Sequence, residues 1–246
     1  MSEPIQVDRS REDRLVIVLN RPERKNALDK AAIDALHEVC GELEATPRLA
    51  IVTGRDGVFA GGADIAELRD RGVGEALEGI NVGLFERVRK LPMPSVAAID
   101  GWALGGGAEL AYACDFRLAT PRTVFGQPET GLGIIAGAGA TWRLPRLIGE
   151  SLAKDMLMAG RRLSADEAHT AGLVRSVHDP AQLLDAAHAL CDTLAQQSPL
   201  ALRLTKLAMD APEAAHPSVE LLAQAVLFTD QDKHDRMTAF LDRKRR

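Results

Sequence analysis

Along the first 180 residues, short apolar runs alternate with stretches in which apolar residues recur every three or four positions. Residues 15–19 (LVIVL), 49–53 (LAIVT) and 96–99 (VAAI) have the length and content of buried strands, and 116–119, 124–125 and 174–177 read the same way. Between them, Ile33, Leu36, Cys40 and Leu43 mark one face of a helix behind the N-cap Asp29. Leu77, Ile80, Leu84, Val88 and Leu91 mark a second helix, halted by Pro92 and Pro94. Residues 106–114 predict a helix directly after a glycine bend, and 151–159 predict another with Gly160 as its stop. Asp64 with Glu67, and Ser164 with Glu167, have the spacing of capping boxes. The charged stretch 69–75 reads as a mobile link.

From Pro180 onward only helical spacing is left. Leu183, Ala187, Leu190 and Leu194 form one face, and Leu200, Leu204 and Leu207 a second. Leu222, Ala225 and Phe228 begin a third, and Met237, Phe240 and Leu241 lie on a fourth. Strand-and-helix units followed by helices alone predict an α/β core with an α-helical C-terminal region. Those apolar helical faces need a covering surface, either the core itself or another subunit.

Composition narrows the picture. A chain of 246 residues, 46% hydrophobic, is long enough to bury a sizeable core. A net charge of −5 argues against nucleic acid as the main partner. The basic cluster at 243–246 (RKRR) reads as a solvated end, with a phosphate contact as the lesser reading. Cys40, Cys114 and Cys191 are widely spaced, which fits free buried thiols in a reducing cytoplasm and offers no metal-ligand spacing. The six histidines are scattered, so no metal is expected. The first residues are polar and lack the apolar segment of a secretory signal. Of two Ala/Gly-rich stretches, the one around 95–114 carries Asp100 and Glu109, and the one around 131–142 is too short to cross a bilayer. A soluble cytoplasmic protein without membrane contact is therefore expected.

Glycine clusters invite a nucleotide test. Gly131 to Ala136 fits the spacing of the dinucleotide fingerprint, but no strand precedes it and Pro145 interrupts the helix that should follow. There is no GxxxxGK[ST] and no serine in a GxSxG elbow. Residues 95–129 hold the chemistry that remains. There an apolar run enters a glycine bend at 105–107, Glu109 lies just inside the next helix, and Glu129 follows in a Gly/Pro setting. Backbone N–H groups at a helix start, with two acids, are parts for stabilising an oxyanion and moving protons. Each acid also has a plainer reading: first-turn electrostatics for Glu109, and a solvated loop carboxylate for Glu129. Asp64 reads as a cap and Asp115 as a helix-end residue.

A series of fragments adds a resemblance. Residues 19–28 (LNRPERKNAL), 59–68 (FAGGADIAEL), 98–110 (AIDGWALGGGAEL), 125–129 (FGQPE), 137–139 (GAG) and Arg143 with Leu144 occur in that order. Together they resemble the enoyl-CoA hydratase/isomerase (crotonase) superfamily over nearly the whole chain. The first three are similar to its coenzyme A loop and its two oxyanion-hole segments.

The resemblance implies a spiral of β-β-α units followed by a C-terminal α-helical region. It implies a core over 1–190 holding an acyl-CoA site, and a region over 191–246 that packs subunits into trimers or dimers of trimers. The substrate would be an acyl-CoA thioester whose oxygen accepts from the N–H groups of Ala63 and Gly106. Arg24, Lys25, Ala27, Asp64 and Ile65 would contact coenzyme A or substrate. Glu109 and Glu129 match the two glutamates of the family's hydratases. They imply a hydro-lyase adding water reversibly, in syn fashion, to trans-2-enoyl-CoA to give 3-hydroxyacyl-CoA in fatty-acid β-oxidation or related acyl-CoA metabolism. No cofactor is implied beyond the coenzyme A of the substrate. An enoyl-CoA isomerase, which generally works with one acid elsewhere, and an idle binding protein are the alternatives. Departures fall at Ala66, where many hydratases have lysine, and at Ala136, Ala140 and Trp142, where the acyl pocket would change shape.

Overall fold

The strand-length apolar runs pair into two sheets in the computed structural model, which describes residues 3–243. Its strands are β1 (Ile5–Asp8), β2 (Arg14–Leu19), β3 (Leu49–Gly54), β4 (Ser95–Ile99), β5 (Trp102–Leu104), β6 (Phe116–Ala119), β7 (Val124–Gly126), β8 (Leu163–Ser164) and β9 (Ser176–Val177). The helices are α1 (Lys30–Ala45), α2 (Ile65–Asp70), α3 (Val73–Glu78), α4 (Ile80–Arg89), α5 (Gly106–Ala113) and α6 (Ala140–Ile148). They continue with α7 (Glu150–Ala159), α8 (Ala165–Thr170), α9 (Leu183–Ala195), α10 (Pro199–Asp210), α11 (Ser218–Phe228) and α12 (Gln231–Arg243). The larger sheet has the order β1-β2-β3-β4-β6-β9 and is parallel except for β1 against β2. The smaller has the order β5-β7-β8.

Successive units send one strand into each sheet before turning into a helix: β4, β5, α5, and then β6, β7, with α6 beyond a short 3₁₀ turn. In the earlier units the second strand shrinks to single bridges, Leu28 with Ala63 and Ala60 with Ala103. The structure is thus the spiral of β-β-α units that the resemblance implies.

The larger sheet is buried on both faces, as expected of parallel strands with near-continuous apolar sequence. Side chains alternate between the faces with period two. Leu15, Ile17, Ala50, Val52, Ala97 and Ile99 enter a core shared with α1, α4 and α5. Val16, Leu49, Ile51, Val96 and Ala98 meet Leu183, Ala187, Cys191 and Leu194 of α9 on the other side. The boundary expected at 190/191 falls inside this covering helix.

Local signals set the element ends. Asp29 accepts the Ala32 N–H at 2.9 Å to start α1, and Ser164 closes a capping box with Glu167. Glu67 does not close a box on Asp64. It accepts the Lys30 N–H at 3.0 Å and so ties α2 to the start of α1. The single helix expected over 77–91 is divided, because Gly79 takes the left-handed conformation (φ 64°) between α3 and α4. That division also gives regular structure to much of 69–75. α6 runs through Pro145, whose carbonyl still accepts the Gly149 N–H at 3.0 Å. The expected strand at 174–177 is reduced to β9.

α10 is anchored by charge. Lys206, 9% exposed, donates to Asp115 Oδ2 at 2.7 Å and to the Met93 carbonyl at 3.3 Å. Asp115 also accepts from the Ser95 N–H and hydroxyl, so it is a network centre rather than a plain helix-end residue. No described helix is long and apolar enough to cross a membrane. Lys206→Met leaves Asp115 with the partly exposed Arg89 as its cation and is expected to cost about 1–3 kcal/mol, read as a lower urea midpoint. An unchanged midpoint would remove the pair from the anchoring of α10.

Candidate active site

The site is built where α5 starts. Gly105 ends β5 with φ 49°, and a Cβ there would lie 2.6 Å from Glu129 Oε1. Gly107 lets the first turn of α5 press against the chain at Ala60, since a Cβ would sit 2.4 Å from the Ala60 carbonyl oxygen. The Ala63 nitrogen lies 3.4 Å from where a Cβ of Gly106 would stand, so these two residues adjoin. In the bridge between Leu28 and Ala63, Leu28 donates to the Gly62 carbonyl and accepts from the Asp64 N–H. That pattern points the Ala63 N–H the other way, and it is donated to no described residue. The Gly106 N–H, first in its helix, is likewise undonated. Two undonated N–H groups therefore belong to neighbouring residues at the start of α5, on the wall of one cavity.

Both acids line the same cavity of about 320 Å³ as Ala63 and Gly106. Glu109 is 3% exposed, and its Oε1 accepts the N–H groups of Ala138 (2.8 Å) and Ala140 (3.0 Å). Burial raises its pKa, opposed by those two N–H groups and by the charge of Arg143. Glu129, 9% exposed, opens a 3₁₀ turn after β7 and is not the solvated loop acid of the plainer reading. Burial, with a smaller push from the Glu109 charge, raises its pKa to about 7, its own backbone N–H opposing. Gln127, with its amide nitrogen turned toward the carboxylate, donates to Glu129 Oε2 at 2.9 Å.

The rest of the cavity wall is largely apolar, formed by Ile65, Leu68, Ile80, Val82, Leu132 and Ile134 from α2, α4 and the turn after Glu129. Apart from Ile65, the sequence assigned none of these residues to the site, because apolar positions on short helices and turns have no distinctive pattern. Ile65, named from the sequence, does line the cavity, whereas Arg24, Lys25, Ala27 and Asp64 do not. Lys25 stands over the Trp102 ring at 4.5 Å, and its carbonyl accepts the Gly61 N–H at the cavity edge. Asp64 caps α2 through the Ala66 N–H and faces Arg21, which also pairs with Asp29 and donates to the Ala27 carbonyl. Arg21 and the buried Asn26, whose amide donates to the Arg55 and Val58 carbonyls, hold this loop and were not singled out from the sequence.

Two buried carboxylates with raised affinity for protons, beside a pair of unengaged N–H donors, can stabilise a developing oxyanion and move protons on either side of it. The cysteines offer no nucleophile: burial pushes Cys40 and Cys191 up to about 11 and Cys114 to about 12. Among the described residues no group of three or more His, Cys, Asp or Glu could hold a metal ion.

The chain matches the enoyl-CoA hydratase/isomerase family over residues 11–246. It is 38% identical over 239 residues to the crotonyl-CoA hydratase of Syntrophomonas wolfei, covering 94% of this chain and 92% of that one. Against the 2,3-dehydroadipyl-CoA hydratase of Escherichia coli it is 36% identical, covering 96% and 95%. The crystal structure of an enoyl-CoA hydratase from Bacillus anthracis superposes with a TM-score of 0.91 at 34% identity, covering 98% and 96%.

The raised pKa of Glu129 has a consequence for stability. The folded protein keeps this proton up to about 7, whereas the unfolded chain releases it near the ordinary value of 4.5. Between those values the unfolded state binds fewer protons, so stability falls as pH rises and then levels off. The total is about 3 kcal/mol at most. Glu129→Gln does not suffer this loss, so its urea stability relative to the parent protein is expected to climb from pH 4.5 to 7. A difference independent of pH would contradict the raised pKa.

Proposed function

The chain belongs to the enoyl-CoA hydratase/isomerase family, and on that premise we propose that it is an enoyl-CoA hydratase, a hydro-lyase acting on acyl-CoA thioesters. It adds water reversibly across the trans-2 double bond to give 3-hydroxyacyl-CoA. The observation that carries this reading is the presence of two buried carboxylates, Glu109 and Glu129, in one cavity with the Ala63 and Gly106 N–H groups.

The thioester oxygen accepts from Ala63 and Gly106, which draws electron density from C3 and holds the enolate that forms. Donors of this kind contribute about 3 kcal/mol each in other oxyanion holes. Glu109, with Oε1 fixed by two N–H groups, turns Oε2 to the water. As the water oxygen bonds to C3, its proton passes to Glu109, and the π electrons move to the thioester oxygen. The enolate then takes a proton at C2 from Glu129, whose pKa of about 7 leaves it partly protonated at neutral pH. A proton passing from Glu109 to Glu129 restores the starting state. Dehydration runs the same steps in reverse.

Arg24 and Lys25, exposed on the loop whose Lys25 carbonyl holds Gly61 of the cavity wall, are suited to the phosphates of coenzyme A, with Ala27 and Ile65 along its path. Asp64 acts by fixing the loop through Arg21. The basic residues 244–246 lie outside the described residues. Exposed Leu207, Met209, Leu221, Leu222, Val226 and Phe228 on α10 and α11 support a subunit-packing role for the C-terminal helices, in a trimer or dimer of trimers. The division expected at 190/191 is then better drawn after α9, which belongs to the core. Three buried thiols support a cytoplasmic enzyme of fatty-acid or related acyl-CoA metabolism, and the negative net charge weighs against nucleic acid; the proposed steps call on no membrane and on no cofactor beyond the coenzyme A of the substrate.

The test is loss of the conjugated-thioester absorbance with crotonyl-CoA and with a longer trans-2-enoyl-CoA. Turnover of at least one is expected, and turnover of neither would sink the reading. Glu109→Gln and Glu129→Gln should each lower kcat by about 10²–10⁴-fold with KM nearly unchanged. Either variant hydrating at the parent rate would remove that residue from the chemistry.

A further inference from the structure

The segment that holds Glu109 is built of residues with almost no side chain: Gly137, Ala138, Gly139 and Ala140. Such a run has wide conformational freedom, and Gly139 stands at φ 133°, where residues with side chains are strained. Nevertheless the N–H groups of Ala138 and Ala140 both reach Glu109 Oε1. Some side chain outside the segment must fix it. Arg143, one turn into α6 and 8% exposed, donates from Nη1 to the Ala138 carbonyl at 3.1 Å. Its Nη2 pairs with Glu86 on α4, the helix whose first residues line the cavity. A Cβ at Gly139 would collide with this guanidinium, so the segment wraps closely over it. Ala138 is thereby pinned on both sides, its N–H to Glu109 and its carbonyl to Arg143.

We propose that Arg143 is a positioning residue for water addition: anchored by Glu86, it clamps residues 137–140 in the one conformation that aims Glu109 at the attacking water. The inference rests on the hydratase reading and on Glu109 as the base. Arg143 is absent from the cavity lining and does not touch the reacting atoms. It acts on Glu109 through the backbone, with its charge as a lesser influence on the same acid, so its loss should impair the step that Glu109 performs and spare the step that Glu129 performs.

Two reactions separate those steps. Hydration of crotonyl-CoA requires both acids. Exchange of the C2 hydrogen of butyryl-CoA in D₂O requires the thioester N–H pair and Glu129 alone. Arg143→Met is expected to lower kcat for hydration about 100-fold, the scale of a misplacement of about 1 Å, with KM within about threefold and exchange near the parent rate. Arg143→Lys, which keeps a charged donor, should recover about tenfold of that loss. Glu86→Gln should show the same pattern more weakly. If Arg143→Met does not fold, the lysine and Glu86 variants carry the comparison.

Hydration at the parent rate in the Arg143 variants overturns the proposal. So does loss of hydration and exchange in equal measure, which marks a general packing role. Glu109→Gln is run alongside. If it loses hydration while Arg143→Met keeps it, the clamp alone is wrong. If Glu109→Gln hydrates normally, the base assignment fails and the clamp falls with it.

Discussion

The missing Cβ at Gly107 is the constraint on which the rest of this structure depends. It lets the first turn of α5 come against the chain at Ala60, to a distance that any side chain would forbid. From that contact follow the adjacency of Ala63 and Gly106 and the position of Glu109 in the first turn of α5. The bridges from Leu28 to Ala63 and from Ala60 to Ala103 hold the opposing loop in place. The chemistry is positioned by backbone approach, and side chains are added to a frame already set.

Burial does two things here. α5 is buried along its whole length, which takes Glu109 out of water and makes its ionisation costly. The same loss of water raises the pKa of Glu129 to about 7. Among the described residues the N–H groups of Ala63 and Gly106 have no acceptor, although donors away from water are normally paired.

Much of this was legible from residue order. The continuous apolar runs of β2, β3 and β4, and the three-and-four spacing of Ile33, Leu36, Cys40 and Leu43, located the core elements because such patterns are local. Glu109 and Glu129 could be named from their settings, but their nearness could not. Twenty residues of separation say nothing of distance until β5 and β7 pair side by side. Gly79 read as an ordinary position in a helix and proved to be a break, since one left-handed glycine leaves the flanking periodicity intact. Arg21, Asn26 and Gln127 act through contacts with distant backbone or with another side chain, and polar residues in loops carry no pattern that reports such contacts. Glu67 had the right spacing for a local cap and took a long-range partner instead.

The larger sheet also works as a partition. Adjacent residues such as Ala50 and Ile51, or Ala97 and Ala98, belong to separate cores, one continuous with α5 and the other closed by α9. A change on the α9 side is absorbed among Leu183, Ala187, Cys191 and Leu194, on the far side of the strands from Glu109. The two faces can therefore accumulate substitutions at different tempos along the same strands. A change on one face meets the packing around Glu109, and a change on the other meets α9 alone.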